Sequence, residues 1–151
     1  MFSAKPYSQL PDPEFQAEFY RDVAVKRALA WVVDTILVAL LTALVVPFTA
    51  FVALFFLPVL FLTLNFVYRW VTITTRSATW GMRLVSIEFR RFDGEHFDTI
   101  TAFLHTLGYT VSAAMVLPQL VSIGFMLMTP RGQGLSDMIL GTVAINRPGQ
   151  L

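Results

Sequence analysis

Between Arg27 and Arg69 a single charged residue, Asp34, interrupts a stretch that is otherwise almost entirely apolar. Residues 28–68 have the length of two bilayer-spanning helices joined by a tight turn, each needing about 20 residues. A chain built around that stretch reads as an integral membrane protein. Its 14% of charged residues, against about 25% in soluble domains, points the same way. A carboxylate at that depth is costly and is kept for a partner or for a purpose. Asp34 is therefore the first functional lead.

At 151 residues the chain is expected to form one domain, and 56% hydrophobic residues leave little polar surface for other folds. The formal net charge of +1 argues against electrostatic capture of nucleic acid. With no cysteine, disulfides and thiolate metal sites are excluded. His96 and His105 lack metal-ligand spacing, so neither a metal nor a cofactor is expected. Residues 1–27 show no early apolar core or small-residue cleavage site, so the first span should be retained in the mature protein.

Residues 1–13 read as a disordered polar arm, with Pro6, Pro11 and Pro13 opposing helix. Residues 14–26 show helical spacing, with Phe15, Phe19, Val23 and Ala24 on one side. An interfacial helix and a solvated lead-in both fit that pattern. The spans are expected at about 28–46 and 50–70, with Pro47 at the turn and Pro58 as a kink. Trp31, Tyr68 and Trp70 sit where aromatic belts belong. In the polar interlude 71–101, residues 84–89 alternate partly and lead into Asp93-Gly94, which predicts a short β-hairpin at the membrane surface. Residues 141–145 are a second β-like run that could pair with the first. The third apolar region, 102–129, is long for one span and short for two, with Pro118 near its middle. It reads either as one kinked span or as a broken hairpin around Pro118. Residues 148–151 form a tail.

The basic residues flank the apolar regions at Arg21, Lys26 and Arg27, at Arg69 and Arg76, and at Arg131 and Arg147. The positive-inside tendency places all three groups, and both termini, on the cytoplasmic side, which favours an even number of crossings. The arginines from Arg69 to Arg91 read as anchors for anionic lipid headgroups.

Arg27 and Asp34 are seven residues apart, so on a helix they share a face about 10 Å apart along the axis. That is far for direct pairing. Partners for Asp34 are expected from other helices, with Asn65, His105, Thr106 and Tyr109 at comparable depth. Two readings compete: Asp34 as a cation or proton site, or a buried carboxylate that locks helices together. Gly108 and Ser112, four apart, predict a close helix approach. Residues 130–142 carry glycines for irregular backbone and one acid, Asp137.

In order and spacing these elements resemble the RDD family of bacterial membrane proteins, named for one arginine and two aspartates. Lys26-Arg27 followed by Asp34 is similar to the family's first helix, and Thr79-Trp80-Gly81-Met82-Arg83-Leu84-Val85 to its central Thr-Pro-Gly-Lys element. Gln133-Gly134-Leu135-Ser136-Asp137, then Gly141-Thr142, resembles its C-terminal stretch. Trp80, Met82 and Ser136 replace the usual proline, lysine and histidine, and His105 stands where an arginine is frequent.

The resemblance implies an all-α membrane bundle over residues 14–147 in a bacterial inner membrane. It makes Arg27, Asp34 and Asp137 the signature residues, with Asn65, Arg69, Thr79, Gly81, His105, Gln133, Gly134, Gly141 and Thr142 in support. Family members are described as transporters of unknown ligands, with cation–proton exchange suggested for some. The expected function is therefore a small transporter or transporter subunit, working as a homo-oligomer or in a larger membrane complex. A non-catalytic accessory subunit or assembly factor is the alternative. No nucleophile elbow, phosphate loop or acid pair for hydrolysis is present, so an enzyme is not expected.

Overall fold

The computed structural model describes residues 9–150, so the expected arm lies outside the described residues over 1–8. Residues 9–13 are docked rather than free, because Leu10 is buried with Val143 and Ile145. The helical spacing of 14–26 does not give one helix. A 3-10 turn at Ala17–Phe19 is separated from α1, Val23–Phe48, by Asp22 in the left-handed region, φ 58°. Phe15, placed on the apolar side by its spacing, is 85% exposed, whereas Val23 is buried.

Pro47 falls in the last turn of α1, and the chain reverses through Ala50 and Phe51, both with positive φ. A 3-10 turn at Val52–Phe56 leads into α2, Leu57–Arg76. Pro58 therefore lies in the first turn of α2 and not at an interior kink. There its missing N–H deprives no helical carbonyl of a partner. Two segments, Ala17–Phe48 and Val52–Arg76, are long and apolar enough to cross a membrane.

Helix α3, Trp80–Leu84, follows Thr79, whose hydroxyl accepts from the Met82 N–H and caps it. Strand β1, Ile87–Arg90, comes next. The Asp93-Gly94 turn forms, with Gly94 at φ 82°, but residues 95–98 return as no strand. The expected hairpin is replaced by a long-range pair: β1 runs antiparallel to β2, Val143–Asn146, with Ile87 opposite Asn146 and Arg90 opposite Val143. Both strands are buried over most of their length, and that burial outweighs the local turn.

The third apolar region is two helices, α4, Thr99–Met115, and α5, Leu117–Met128, bent by 117°. Asp98 caps α4 by accepting from the Thr101 N–H at 2.7 Å. Val116, at φ 60°, makes the bend, and Pro118 starts α5. The region is thus broken at Val116, a bend that fits a kinked span or a broken hairpin and excludes one straight helix. Helix α6, Leu135–Leu140, ends on Gly141 at φ 69°, a conformation that glycine adopts without strain.

The core lies at one end, where the sheet and α3 meet the start of α1 and the end of α2. Val23, Ile73, Met82, Ile87, Phe89 and Phe97 pack there. Away from it the helices face outward with apolar side chains such as Leu40, Leu44, Val59 and Leu127. Helix α2 packs against both α1 and α4, whereas α1 packs mainly on α3 and α2.

Candidate functional site

Two buried aspartates organise the end of the bundle, each joining α1 to a short helix. Asp34, on α1, is 3% exposed. Its Oδ1 accepts from the Tyr68 hydroxyl at 2.6 Å and the Gly81 N–H at 2.9 Å, and its Oδ2 accepts from the Thr79 hydroxyl at 2.6 Å. Arg69 Nη1 stands 3.8 Å from Oδ2, an ion pair without a hydrogen bond. Glycine is required at 81. A Cβ there would lie 2.3 Å from the Ala30 carbonyl oxygen and 2.8 Å from Asp34 Oδ1. The donors to Asp34 thus come from α2 and the α3 region, not from Asn65, His105, Thr106 or Tyr109 as the depth argument expects. Asn65 is one turn too deep, and the helix places Tyr68 and Arg69 beside the carboxylate instead.

Asp137, on α6, is fully buried and has four donors. Arg27 Nη1 donates to Oδ2 at 2.7 Å and the Gly134 N–H at 3.1 Å. His105 Nε2 at 2.8 Å and the Thr142 hydroxyl at 2.9 Å meet Oδ1. Burial pushes this carboxyl up, but the Arg27 guanidinium and His105 outweigh burial and hold it well below the usual carboxylate range. Arg27 also donates to the Gly132 carbonyl at 3.3 Å and lies over the Phe89 ring. His105 packs against Phe89 and Phe97, and its buried Nδ1 has no hydrogen-bond partner among the described residues.

The supporting residues hold this second cluster. Gln133 donates to the Thr142 carbonyl at 2.8 Å, and Gly141 turns the chain so that the Thr142 hydroxyl reaches Asp137. A Cβ at Gly134 would lie 2.5 Å from Ser122 Oγ and Met126 Cε, so a side chain there would have to displace both. Gly108 does mark a close approach, but to Ser136 of α6, whose Oγ would be 2.6 Å from an added Cβ.

The structure therefore brings Arg27, His105, Gln133, Gly134, Asp137, Gly141 and Thr142 into one cluster and Asp34, Arg69, Thr79 and Gly81 into a second. Asn65 joins neither and lines the cavity beside them. Tyr68 is the functional neighbour that sequence reasoning missed. Its position at the end of an apolar run reads as a belt aromatic, and only its spacing from Arg69 hinted otherwise.

Both clusters wall a partly open cavity of about 490 Å³ lined by α1, α2, α4, α5 and α6. Arg27, Asp34, Arg69, His105 and Asp137 form its polar end, while Phe61, Leu62, Ala113, Leu120 and Ile123 line the rest. Across it, Trp31 Nε1 donates to the Tyr109 hydroxyl at 2.8 Å, and the Arg69 guanidinium lies 4.0 Å over the Tyr109 ring. Among the described residues no group of three acidic, histidine or cysteine side chains could hold a metal ion.

Two spanning-length helices, a bent helix pair and a double aspartate lock around a cavity define a small membrane-type helical protein. The chain belongs to the RDD family, whose family model matches residues 22–141. No curated protein and no solved structure matches it.

Proposed function

We propose that this protein is a transporter or transporter subunit whose ligand occupies the cavity between α1, α2, α4 and α5. The cavity carries this reading: about 490 Å³ of space lies among apolar helices and ends on two charge pairs. Such volume is within the range of small-molecule sites. The protein works as a homo-oligomer or inside a larger membrane complex, since few helices are available to enclose a path.

The geometry also supports a topology. The Arg27–Asp137 pair holds the start of α1 and the segment after α5 at one level, and α5 returns towards it after the bend. Both termini then lie on the basic, cytoplasmic side. On that side α3 exposes Trp80 and Leu84, with Arg76 and Arg83 close to them in sequence, a surface suited to anionic headgroups.

The accessory-subunit reading has one observation in its favour: both aspartates are already filled by donors. Proteoliposomes of the full chain separate the two readings. Proton flux, alkali-cation flux and movement of fluorescent lipophiles are measured for wild type and Ala113→Phe, which fills the cavity. Flux above protein-free vesicles that falls at least tenfold in Ala113→Phe supports transport. No flux of any probe in wild type overturns it.

A further inference from the structure

Three side chains of the cavity keep hydrogen-bond donors that no described residue accepts. Among the described residues, the amide side chains of Asn65 and Gln119, both lining the cavity, make no hydrogen bond. The Arg69 guanidinium, 92% buried at the residue level (8% exposed), makes an ion pair but no hydrogen bond. The cavity therefore keeps amide and guanidinium N–H donors without acceptors, beside two amide oxygens without donors, at and next to its polar end.

Charge decides the kind of acceptor. Arg27 and His105 are taken up by Asp137 and Arg69 by Asp34, so every charged side chain of the polar end already faces an opposite partner. An ionic ligand would bring its own charge into a space with no counter-charge left over, and an uncompensated charge in a low-dielectric interior is costly. A neutral acceptor such as a carbonyl takes the free N–H groups without that cost.

The remaining wall decides the body of the ligand and its route. Phe61, Leu62, Ala113, Leu120 and Ile123 are apolar, and Trp31, Val116, Leu120 and Ile123 both line the cavity and face outward. Helix α2 closes the back by packing on α1 and α4, while α1 and α4 are bridged across the cavity by Trp31 and Tyr109. On helices that cross a bilayer, outward means towards lipid. The cavity is thus accessible sideways, from the hydrocarbon.

Resting on the proposed cavity site, we propose that its ligand is a membrane-dissolved lipophile with an uncharged, hydrogen-bond-accepting head. The ligand reaches the cavity laterally past Trp31. Asn65, Gln119 and Arg69 donate to the head, and the apolar body lies against α5.

Photolabelling of the full chain in phosphatidylcholine nanodiscs tests this. Three matched fatty-chain probes carry a diazirine in the chain and end in a methyl ester, a carboxylate or a quaternary ammonium. Mass spectrometry reads which residues are labelled. The expected result is saturable labelling of cavity-lining residues by the ester, competed by excess unlabelled ester and at least tenfold weaker for both charged probes. Ala113→Phe should abolish it. Asn65→Leu with Gln119→Leu, which leaves the volume open, should keep labelling but reduce the preference for the ester to within threefold.

Labelling that never saturates, or that prefers the carboxylate or the ammonium, overturns the inference. So does a preference unchanged in the double variant. The result stands apart from the flux assay. Saturable ester labelling without flux leaves the ligand class intact and removes transport, whereas flux with no ester labelling does the reverse.

Discussion

The strongest energetic statement the structure makes concerns Arg27 and Asp137. Their 2.7 Å contact joins a guanidinium that is 13% exposed to a carboxylate that is 1% exposed. At an effective dielectric near 20 the Coulomb attraction is about 6 kcal/mol, most of it consumed by desolvation of the two ions. Breaking such a pair from one side leaves an uncompensated buried charge and costs about 3–5 kcal/mol. Asp137→Asn does this. Its oxygen still accepts from His105 and Thr142, but its amide nitrogen now faces Arg27 and the Gly134 N–H, two donors. Arg27→Met leaves the carboxylate with three donors and no cation. The double variant removes the facing charge, so the two losses should not add. A coupling of about 2–3 kcal/mol is expected. Unfolding of the purified full chain by SDS in dodecylmaltoside micelles, followed by circular dichroism, measures all four corners of the cycle. Losses that add within about 0.5 kcal/mol would show that the pair does not act as a unit, and the lock would be refuted.

Three further outcomes follow from the same geometry. Asp137 has a depressed folded pKa, so its stabilisation is complete above the unfolded value of about 4 and is lost as pH falls through the lower folded value. The change of melting temperature with pH between about pH 8 and pH 5 should therefore owe nothing to Asp137, and a fall there that disappears in Asp137→Asn would contradict this. Gly81→Ala forces a methyl against the Ala30 carbonyl and should cost at least about 2–3 kcal/mol in the same SDS assay, through parting of α1 and α3; a neutral result would mean that the approach is not close. Val116→Gly relieves a β-branched residue at φ 60° and should raise stability by about 1 kcal/mol, where a loss would show the side chain matters more than the strain.

The two spanning helices were legible because length and apolarity are local properties, and the run between Arg27 and Arg69 could be satisfied in no other way. Arg27 and Asp34 were legible as charges set against an apolar background, whereas Asp137, in a glycine-rich polar stretch, was legible only through the family resemblance. The pairing of β1 with β2 was only half legible. Asp93-Gly94 gives a strong local turn signal and the turn forms, but Glu95-His96-Phe97-Asp98 offers no alternating apolar face. The strand from Ile87 pairs instead with the second β-like run around residues 141–145, a partner the sequence offered but could not choose over the hairpin, because that choice is tertiary. Pro58 misleads for a related reason: an apolar run does not show where its helix begins, and a proline looks interior until the preceding 3-10 turn is seen. The wrong partners for Asp34 come from matching depth alone, which ignores which face of α2 each residue occupies.

Asp34 now bears more on architecture than on ion binding. A carboxylate offers about four acceptor positions, and here two hydroxyls and a backbone N–H fill three of them with Arg69 beside the remainder. A cation seeking this group would have to displace donors from α2 and from the α3 region together, opening the contact that glycine at 81 makes possible. Asp34→Asn presents an amide N–H to at least one of those donors, so it should loosen the fold, at a cost of about 1–3 kcal/mol for the donor left unsatisfied. Whatever flux the wild-type protein supports should then persist in proportion to the folded fraction recovered. Flux abolished in Asp34→Asn at wild-type folded yield would instead restore Asp34 as the ion-responsive group, and would mean that the lock opens during the transport cycle.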